Sequence, residues 1–359
     1  MAVKKRRRAK PLLIFLIVTI LLLIITCITW FVMCSPVNKE SSAKIEVVIP
    51  NGTSARQIGG ILKEKKLIRS EKFFYLYIKV KRVDSMKAST YTMSKDMSLD
   101  EIIKVLESGN SYNPDVIKIT FKEGERITDF ATAIANKTNH TYEEVIKVMQ
   151  DKEYIKRLID KNWFLTDEIL NDSIYYPLEG YLAPNTYDFT NKDVSIEVII
   201  ETMLKQTDKI LIKYKEKITE KSTHYYITMA SMAELEGTNT DNRKEIVSVF
   251  ENRLAKNMNL GSDVTTYYAL QLPMDKDLTT AQFSTVNPYN TRSTTMMGKM
   301  PIGAICNPSE SSIEAALNPT TSTYLYFVAD KYGKIHFTNS LAEHNSKVKE
   351  IKDKGDWIW

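Results

Sequence analysis

Cysteine, glycine and proline are all scarce in this 359-residue sequence. It has three cysteines, 12 glycines and 11 prolines. Cys27, Cys34 and Cys306 show neither a disulfide framework nor metal-ligand spacing, and none of the four histidines is spaced with another for a metal site. So little glycine and proline excludes collagen-like and long low-complexity tracts. We therefore expect a globular protein that needs no metal and no cofactor.

Positive charge is also scarce outside the N-terminus. The net charge is +5, and much of the excess lies in the first ten residues, in Lys4, Lys5, Arg6, Arg7, Arg8 and Lys10. Because the rest is nearly neutral, the sequence does not favour nucleic-acid binding. A content of 43% hydrophobic and 26% charged residues is typical of a globular chain with two or three domains.

Only one hydrophobic run is long enough to cross a membrane. Residues 11–33 carry no charge and as a helix reach about 34 Å. A signal peptide has a shorter apolar core and a small residue at its cleavage site. The basic cluster precedes the run, so we expect residues 1–10 in the cytoplasm and the chain beyond the linker 34–43 outside. Met33 is too large for a lipoprotein cleavage site, so we interpret Cys34 as a juxtamembrane thiol.

The chain after residue 43 mixes strand and helix signals, which predicts an α+β fold. Residues 44–50 alternate like a strand, Asn51-Gly52 is a turn signal, and Thr53 or Ser54 can cap a helix. A similar strand–turn–helix pattern follows some seventy residues later, with Thr128 as the predicted cap; it is either a repeat or a common pattern met twice. Further predicted elements are a helix from Leu99 to Ser108 capped by Ser98, a helical insert at 141–170, a helix at 195–216, a helical region at 221–256 broken at 237–239, and a hairpin at 324–337.

Two glutamates, Glu234 and Glu236, end a stretch that is otherwise almost free of charge. In a helix ending at Gly237 both would lie among apolar neighbours, so the helix reads as buried nearly all round. Their side chains diverge by roughly 200°, which predicts no close pair. A carboxyl group in a low-dielectric pocket suits proton donation in glycosidic bond cleavage. The alternative is a structural glutamate bound to backbone amides or to an arginine such as Arg243 or Arg253.

A resemblance bears on this choice. The segments "MASMAELEG", "VFENRL", "LGSDVTTYYAL", "LEGYLAPNTYDF", "NPYNTR", "MPIGAICNPSESSIEAALNP" and "YLYFVADKYGKIHFTNSLAEHN" together resemble the endolytic murein transglycosylase (YceG-like) family, in that family's order. The resemblance implies a membrane anchor, a small LysM-like subdomain at 44–112 and a catalytic domain at 113–359. It also implies action on peptidoglycan glycan strands, beside peptidoglycan synthases and the division or elongation machinery, with the ending of nascent strands as its result.

The resemblance implies that Glu234 is the catalytic residue. It would protonate the oxygen that leaves the β-1,4 bond between N-acetylmuramic acid and N-acetylglucosamine. It would then take the proton from the muramyl C6 hydroxyl as a 1,6-anhydro ring closes, so that one carboxyl group serves as acid and then base. A water-using muramidase with Asp263 as a second carboxylate, or a non-catalytic glycan-binding scaffold, remain alternatives.

Other motif residues are predicted to contact the glycan through amide, hydroxyl and aromatic groups. They are Glu179, Tyr187, Asn252, Arg253, Ser262, Asp263, Tyr289, Asn290, Thr291 and His336, with His344 nearby. This sequence departs from the family's usual residues at Ser89, Ala183, Asn185, Gly261, Val264, Arg292 and Ile302, several of them near the expected groove. These departures bear on substrate preference and turnover more than on the fold.

Overall fold

The structure is a computed structural model that describes residues 9–50, 52–83, 85–109, 116–218 and 220–357, with side chains from residue 15 onward. The chain divides into two compact units, Met1–Pro114 and Asp115–Trp359. The first eight residues of the basic tail, the predicted turn residue Asn51 and the predicted boundary between residues 112 and 113 lie outside the described residues.

The first unit contains one long helix and a small α+β body. Its elements are α1 (Ala9–Cys34), β1 (Ile45–Ile49), α2 (Ala55–Glu64), α3 (Glu71–Lys81), β2 (Ser89–Met93) and α4 (Leu99–Ser108). Strands β1 and β2 pair antiparallel, with Val47 opposite Tyr91. Both side chains are fully buried against the helices, together with Leu62 and Phe74. That this small body is a membrane-proximal, LysM-like subdomain stays a prediction.

Helix α1 matches the predicted hydrophobic run. Its segment Phe15–Cys34 is long and apolar enough to cross a membrane and is not buried in the protein. A helix inside a soluble core would be covered by other elements, so this exposure shows that the segment is not a buried core helix. The length and composition suit a membrane anchor or a signal sequence.

Helix caps were predicted well where the signal was local. Ser54, rather than Thr53, caps α2 in a capping box with Gln57. Ser98 caps α4, which ends at Gly109 in a left-handed conformation with φ of 76°. The prediction of Thr128 as a cap is wrong, because the first helix of the second unit begins at Ile127, one residue before Thr128. Arg126 is the cap position, and its backbone N–H donates to the Asp129 carboxylate.

The second unit is mainly helical, with two separate antiparallel strand pairs. Strands β3 (Ile117–Phe121) and β4 (Asn185–Phe189) form one pair, and β5 (Tyr326–Ala329) and β6 (Ile335–Thr338) form the predicted hairpin. The helices are α5 (Ile127–Lys137), α6 (Tyr142–Met149), α7 (Lys152–Lys161), α8 (Ile196–Leu211), α9 (Thr223–Glu236), α10 (Thr240–Ala255), α11 (Asp263–Ala269), α12 (Thr280–Phe283), α13 (Glu310–Leu317) and α14 (Leu341–Asp353). The predicted α+β class is confirmed.

Helix α9 passes through the core of the second unit. All residues from Ile227 to Ala233 are buried, as the uncharged sequence predicts. Gly180 lies against it: a Cβ atom there would come within 2.6 Å of Ile227 and 2.5 Å of Ala304, and its φ is 88°. Only glycine allows this backbone to approach α9 so closely. The core therefore fixes α9, and with it the last turn that carries both glutamates.

Candidate active site

The last turn of α9 lies between the start of α10 and the start of α13. The break between α9 and α10 falls at residues 237–239, as predicted. A Cβ atom at residue 237 would lie 2.6 Å from the Cγ of Arg243, and glycine leaves that space free. This space lets Arg243 fold back over the end of α9, where its Nε donates to the Gly237 carbonyl at 3.2 Å. The turn thus brings a guanidinium group to the glutamates.

Four hydrogen bonds hold the Glu234 carboxylate. Arg243 Nη2 donates to Oε1 at 2.7 Å. At the start of α13, the Ser309 backbone N–H and hydroxyl donate to Oε2 at 2.8 and 2.6 Å, and the Ser312 hydroxyl donates at 2.6 Å. The Glu234 side chain is 6% exposed and that of Arg243 is 12% exposed. Glu234 is therefore fixed in one orientation, close to the surface but almost covered.

Glu234 therefore makes the contacts of the structural alternative, in which the glutamate is bound to an arginine and to backbone amides. The partner is Arg243 and not Arg253, and a backbone N–H takes part as well. Among the described residues, Oε1 accepts only the Arg243 bond, so it retains a lone pair for a further partner. The carboxylate is thus structurally held and keeps acceptor capacity at Oε1.

Glu236 has a different environment, although it lies two residues away. Its Oε1 accepts a hydrogen bond of 2.6 Å from the Ser262 hydroxyl, just before α11. Burial raises the pKa of Glu236, against the opposing effect of the Ser262 bond and of the Arg292 and Arg253 charges. The two carboxylates contact different elements, consistent with the predicted divergence of their side chains.

A third carboxyl group, Glu179, lies beneath the site. It is 3% exposed and accepts hydrogen bonds from the backbone N–H of Ile127 at 3.1 Å, from Tyr268 Oη at 3.0 Å and from Asn307 Nδ2 at 3.0 Å. Asn307 Oδ1 in turn accepts the Gly180 N–H at 3.0 Å. This buried network joins the start of α5 to the segment that leads into α13, and so supports the serines around Glu234.

The ionisation of Glu179 makes a testable contribution to stability. Burial raises its pKa from 4.5 to about 8. Between about pH 4.5 and 8 the folded chain therefore keeps a proton on Glu179 that the unfolded chain has lost. The resulting stabilisation is fully present below about pH 4.5 and is lost as the pH rises through about 8. We expect Glu179→Gln to flatten the fall in the free energy of unfolding across this window, by on the order of a few kcal/mol.

Denaturant unfolding at several pH values measures this effect. Glu123→Gln is a suitable control, because Glu123 is an exposed glutamate of the same unit, and it should leave the curve unchanged. Parallel pH curves for the parent chain and Glu179→Gln would show that Glu179 is not the buried proton-binding group described here.

The remaining predicted glycan contacts hold loops in place. Tyr187, Ser262, Tyr289, Asn290 and Thr291 are buried, like Glu179. Asn252 donates to the carbonyls of Ser322 and Tyr324, and Arg253 donates to those of Leu325 and Leu260.

The other predicted glycan contacts are also occupied within the second unit. Asn290 donates to the carbonyls of Phe283 and Thr285. His336 pairs with Asp330 in the hairpin, and His344 stacks on Tyr326. Their direct contact with sugar stays a prediction.

Asp263 is the most exposed of the predicted polar residues near Glu236. It forms an ion pair with Arg292, and both side chains are about half exposed. Nearby, Gly261 has a φ of 66°, and a Cβ there would lie 3.1 Å from Arg253 Nη1. A side chain at residue 261 would therefore be strained. The departures at Gly261 and Arg292 lie close together, because the Gly261 N–H donates to the carbonyl of Thr291, the residue before Arg292, at 3.2 Å.

Sequence reasoning named Arg243 as a possible partner of Glu234 but missed the two serines that also hold it. Ser309 caps α13 and accepts the N–H of Ser312, and Asn307 anchors the segment before it. A signal existed, because serine before an apolar run, as in "NPSESSIEAAL", is typical of a helix N-terminus. A helix N-terminus favours a nearby negative charge. The sequence does not say which carboxylate, 75 residues away, fills that place.

The second unit is an α+β domain whose buried central helix ends in two glutamates, each held by different elements. Residues 47–350 match the YceG-like family. A Bacillus subtilis protein named endolytic murein transglycosylase is 40% identical over 330 residues, which are 90% of this chain and 89% of that protein. This chain belongs to the YceG-like family.

Two further comparisons agree. A Streptococcus pneumoniae protein, also named endolytic murein transglycosylase, is 32% identical over 333 residues, covering 88% of this chain but only 60% of that longer protein. The crystal structure of a yceG-like protein from Listeria monocytogenes superposes with a TM-score of 0.61 at 39% identity, covering 85% of this chain and 99% of that one. The likeness therefore extends over most of the chain.

Proposed function

We propose that this chain is a membrane-anchored endolytic lytic transglycosylase of peptidoglycan, with Glu234 as its acid and base. Family membership and the names of its relatives support the reaction class. The observation that supports the assignment of Glu234 is its carboxylate, almost covered at the end of a buried helix and held in one orientation with one oxygen able to accept a further partner.

In the proposed reaction Glu234 first gives its proton to the glycosidic oxygen as the bond from muramyl C1 breaks. It then accepts the proton of the C6 hydroxyl while O6 bonds to C1 and closes the 1,6-anhydro ring. No water is consumed, and the carboxyl group ends in its starting protonation state. General acid and base catalysis by one group requires that it keep its position in both forms.

The partners of Glu234 suit this cycle. A serine hydroxyl can donate to a carboxylate and can turn to accept from a protonated carboxyl group. Ser309 and Ser312 can therefore follow both protonation states, while Arg243 and the Ser309 backbone N–H keep the group aimed. The ion pair with Arg243 corresponds to the form that accepts the C6 proton.

We propose the following setting for the reaction. Residues 11–33 anchor the chain in the cell membrane, residues 1–10 are cytoplasmic, and the LysM-like subdomain and the catalytic unit lie on the external side of that membrane. Cutting there would act on newly made glycan, ending nascent strands beside peptidoglycan synthases and the division or elongation machinery. The length and exposure of α1 and the basic residues before it support the anchor and its direction.

The endolytic character has a direct test. Purified long glycan strands incubated with the full chain should shorten quickly in mean length, with few single disaccharides at early times. Release of disaccharides from the start would indicate cutting from strand ends instead. Strands that keep their length would favour the alternative of a non-catalytic glycan-binding scaffold.

The orientation can be tested in cells. Protease added to intact protoplasts should remove the body of the protein, because the positive residues precede the hydrophobic segment and are retained in the cytoplasm. A cytoplasmic protein should survive as the control for intact membranes. A body that resists digestion while other external proteins are cut would reverse the proposed orientation.

A further inference from the structure

The end of helix α1 is packed against helix α3. The Trp30 ring stacks on Tyr77 with centroids 5.6 Å apart and meets the edge of Phe73 at 5.1 Å. Phe73 and Tyr77 are four residues apart and share one face of α3. Trp30 lies about 6 Å from the end of α1 at Cys34. Helix α3 therefore contacts α1 near the end of its apolar segment, where α4 also contacts α1.

The chain that follows α1 is also fixed to the body of the first unit. Arg69 donates to the carbonyls of Ser35 and Pro36 at 2.5 and 2.7 Å. The backbone N–H of Asn38 donates to the Lys95 carbonyl at 3.0 Å. The link is thus a short bonded segment rather than a free tether, so the position of α3 follows that of α1.

One face of α3 is exposed and carries both apolar and basic side chains. Leu76 is 49% and Val80 is 57% exposed, and Lys72 and Lys79 are exposed beside them. These four residues recur at the spacing of one helix face. The centre of that face is roughly 95° around the helix from the residues that contact Trp30; Leu76 and Val80 are about 60° away, and the two lysines are further round. Apolar residues with neighbouring lysines are typical of helices that lie on anionic lipid surfaces.

We propose that α3 lies on the membrane surface where α1 leaves the bilayer, with Leu76 and Val80 among the lipid head groups and acyl chain ends. The inference rests on the proposed membrane anchor. The apolar run of residues 11–33 is about 34 Å long as a helix, which is enough to cross a bilayer core, so its end lies at the interface. Tryptophan near that end is typical of this level. An α3 bound to Trp30 is then at the depth of the lipid surface.

The consequence is that the first unit is held in one orientation on the membrane by two contacts, a spanning helix and a surface helix. Lys72 and Lys79 lie where they can meet anionic lipid phosphates. A single crossing helix would leave the unit free to tilt, whereas a second contact on α3 restricts that motion.

Lipid-borne quenching of a fluorescent label tests the proposal. The full chain, with Cys34 replaced by serine and the buried Cys306 left in place, is reconstituted in vesicles of phosphatidylglycerol and phosphatidylcholine whose acyl chains carry a shallow nitroxide. The label is placed at the natural Cys27 or, with Cys27 replaced by serine, at Leu76→Cys, Val80→Cys or Val48→Cys. Val48 is a matched control: it is 50% exposed on β1, on the sheet face away from the helices.

We expect labels at residues 76 and 80 to be quenched severalfold more than the label at residue 48, and the label at Cys27 to be quenched as well. Quenching at Cys27 with residues 76 and 80 as weakly quenched as residue 48 would overturn the surface contact and leave the anchor intact; α3 would then face water or another protein. An unquenched label at Cys27 would overturn both the anchor and the surface contact.

Discussion

Glu234→Gln should lose about a hundred- to ten-thousandfold of turnover, because an amide of the same shape can neither give nor take the reacting proton. The variant should stay folded but less stable by about 1–3 kcal/mol. The single amide oxygen can accept from Arg243 or from the Ser309 N–H, but not from both. Turnover on glycan strands and thermal unfolding of the same preparation measure the two effects separately.

Glu236→Gln is the matched control for this change. It makes the same replacement two residues away on the same helix end, where the Ser262 hydroxyl can turn to suit an amide. We expect it to keep most of the turnover. A parent-like rate in Glu234→Gln, or an equal loss in both variants, would contradict the assignment of Glu234.

Arg243→Gln should have the second largest effect. Arg243 bridges the Gly237 carbonyl, Glu234 and the Ser311 hydroxyl, with bonds of 3.2, 2.7 and 2.7 Å. Removing one partner of a buried ion pair costs about 3–5 kcal/mol, since the other charge stays buried. A carboxyl group displaced by about 1 Å can lose on the order of a hundredfold in rate. We therefore expect kcat to fall more than KM rises.

Two further variants separate positioning from general stability. Arg243→Lys keeps the charge but cannot reach all three partners, so it should restore only part of kcat. Lys244→Gln breaks the neighbouring pair with Glu314 at 2.8 Å, which joins the same helices α10 and α13 at a partly exposed place. It should cost about 1 kcal/mol or less and leave kcat unchanged. A parent-like kcat in Arg243→Gln would mean that Arg243 does not position Glu234.

The local parts of the fold were readable from the sequence. Ser98 followed by Glu101 and ended by Gly109 specifies a helix within one short segment. The uncharged run before Glu234 predicted a buried helix, and residues 227–233 are buried. The misplaced cap at Thr128 shows the limit of this reasoning, because several polar residues in one turn compete and Asp129 takes the bond.

The site itself depended on contacts between distant parts of the chain. Ser309 and Ser312 are 75 and 78 residues from Glu234, and Asn307 is 128 residues from Glu179. A single sequence carries no signal for such pairs. For the same reason the sequence did not show that Glu179 and Asn290, two motif residues predicted to contact the glycan, lie in the interior. Polar groups are tolerated there because they are hydrogen-bonded.

Mass spectrometry of the cut glycan ends tests the central claim most directly. The full chain is incubated with purified glycan strands, and the muramyl ends of the products are compared with those made by Glu234→Gln. We predict that the parent chain makes 1,6-anhydromuramyl ends and that the variant makes almost none. Hydrated reducing ends from the parent chain would contradict the account, because they would show that water, and not the C6 hydroxyl, attacks C1.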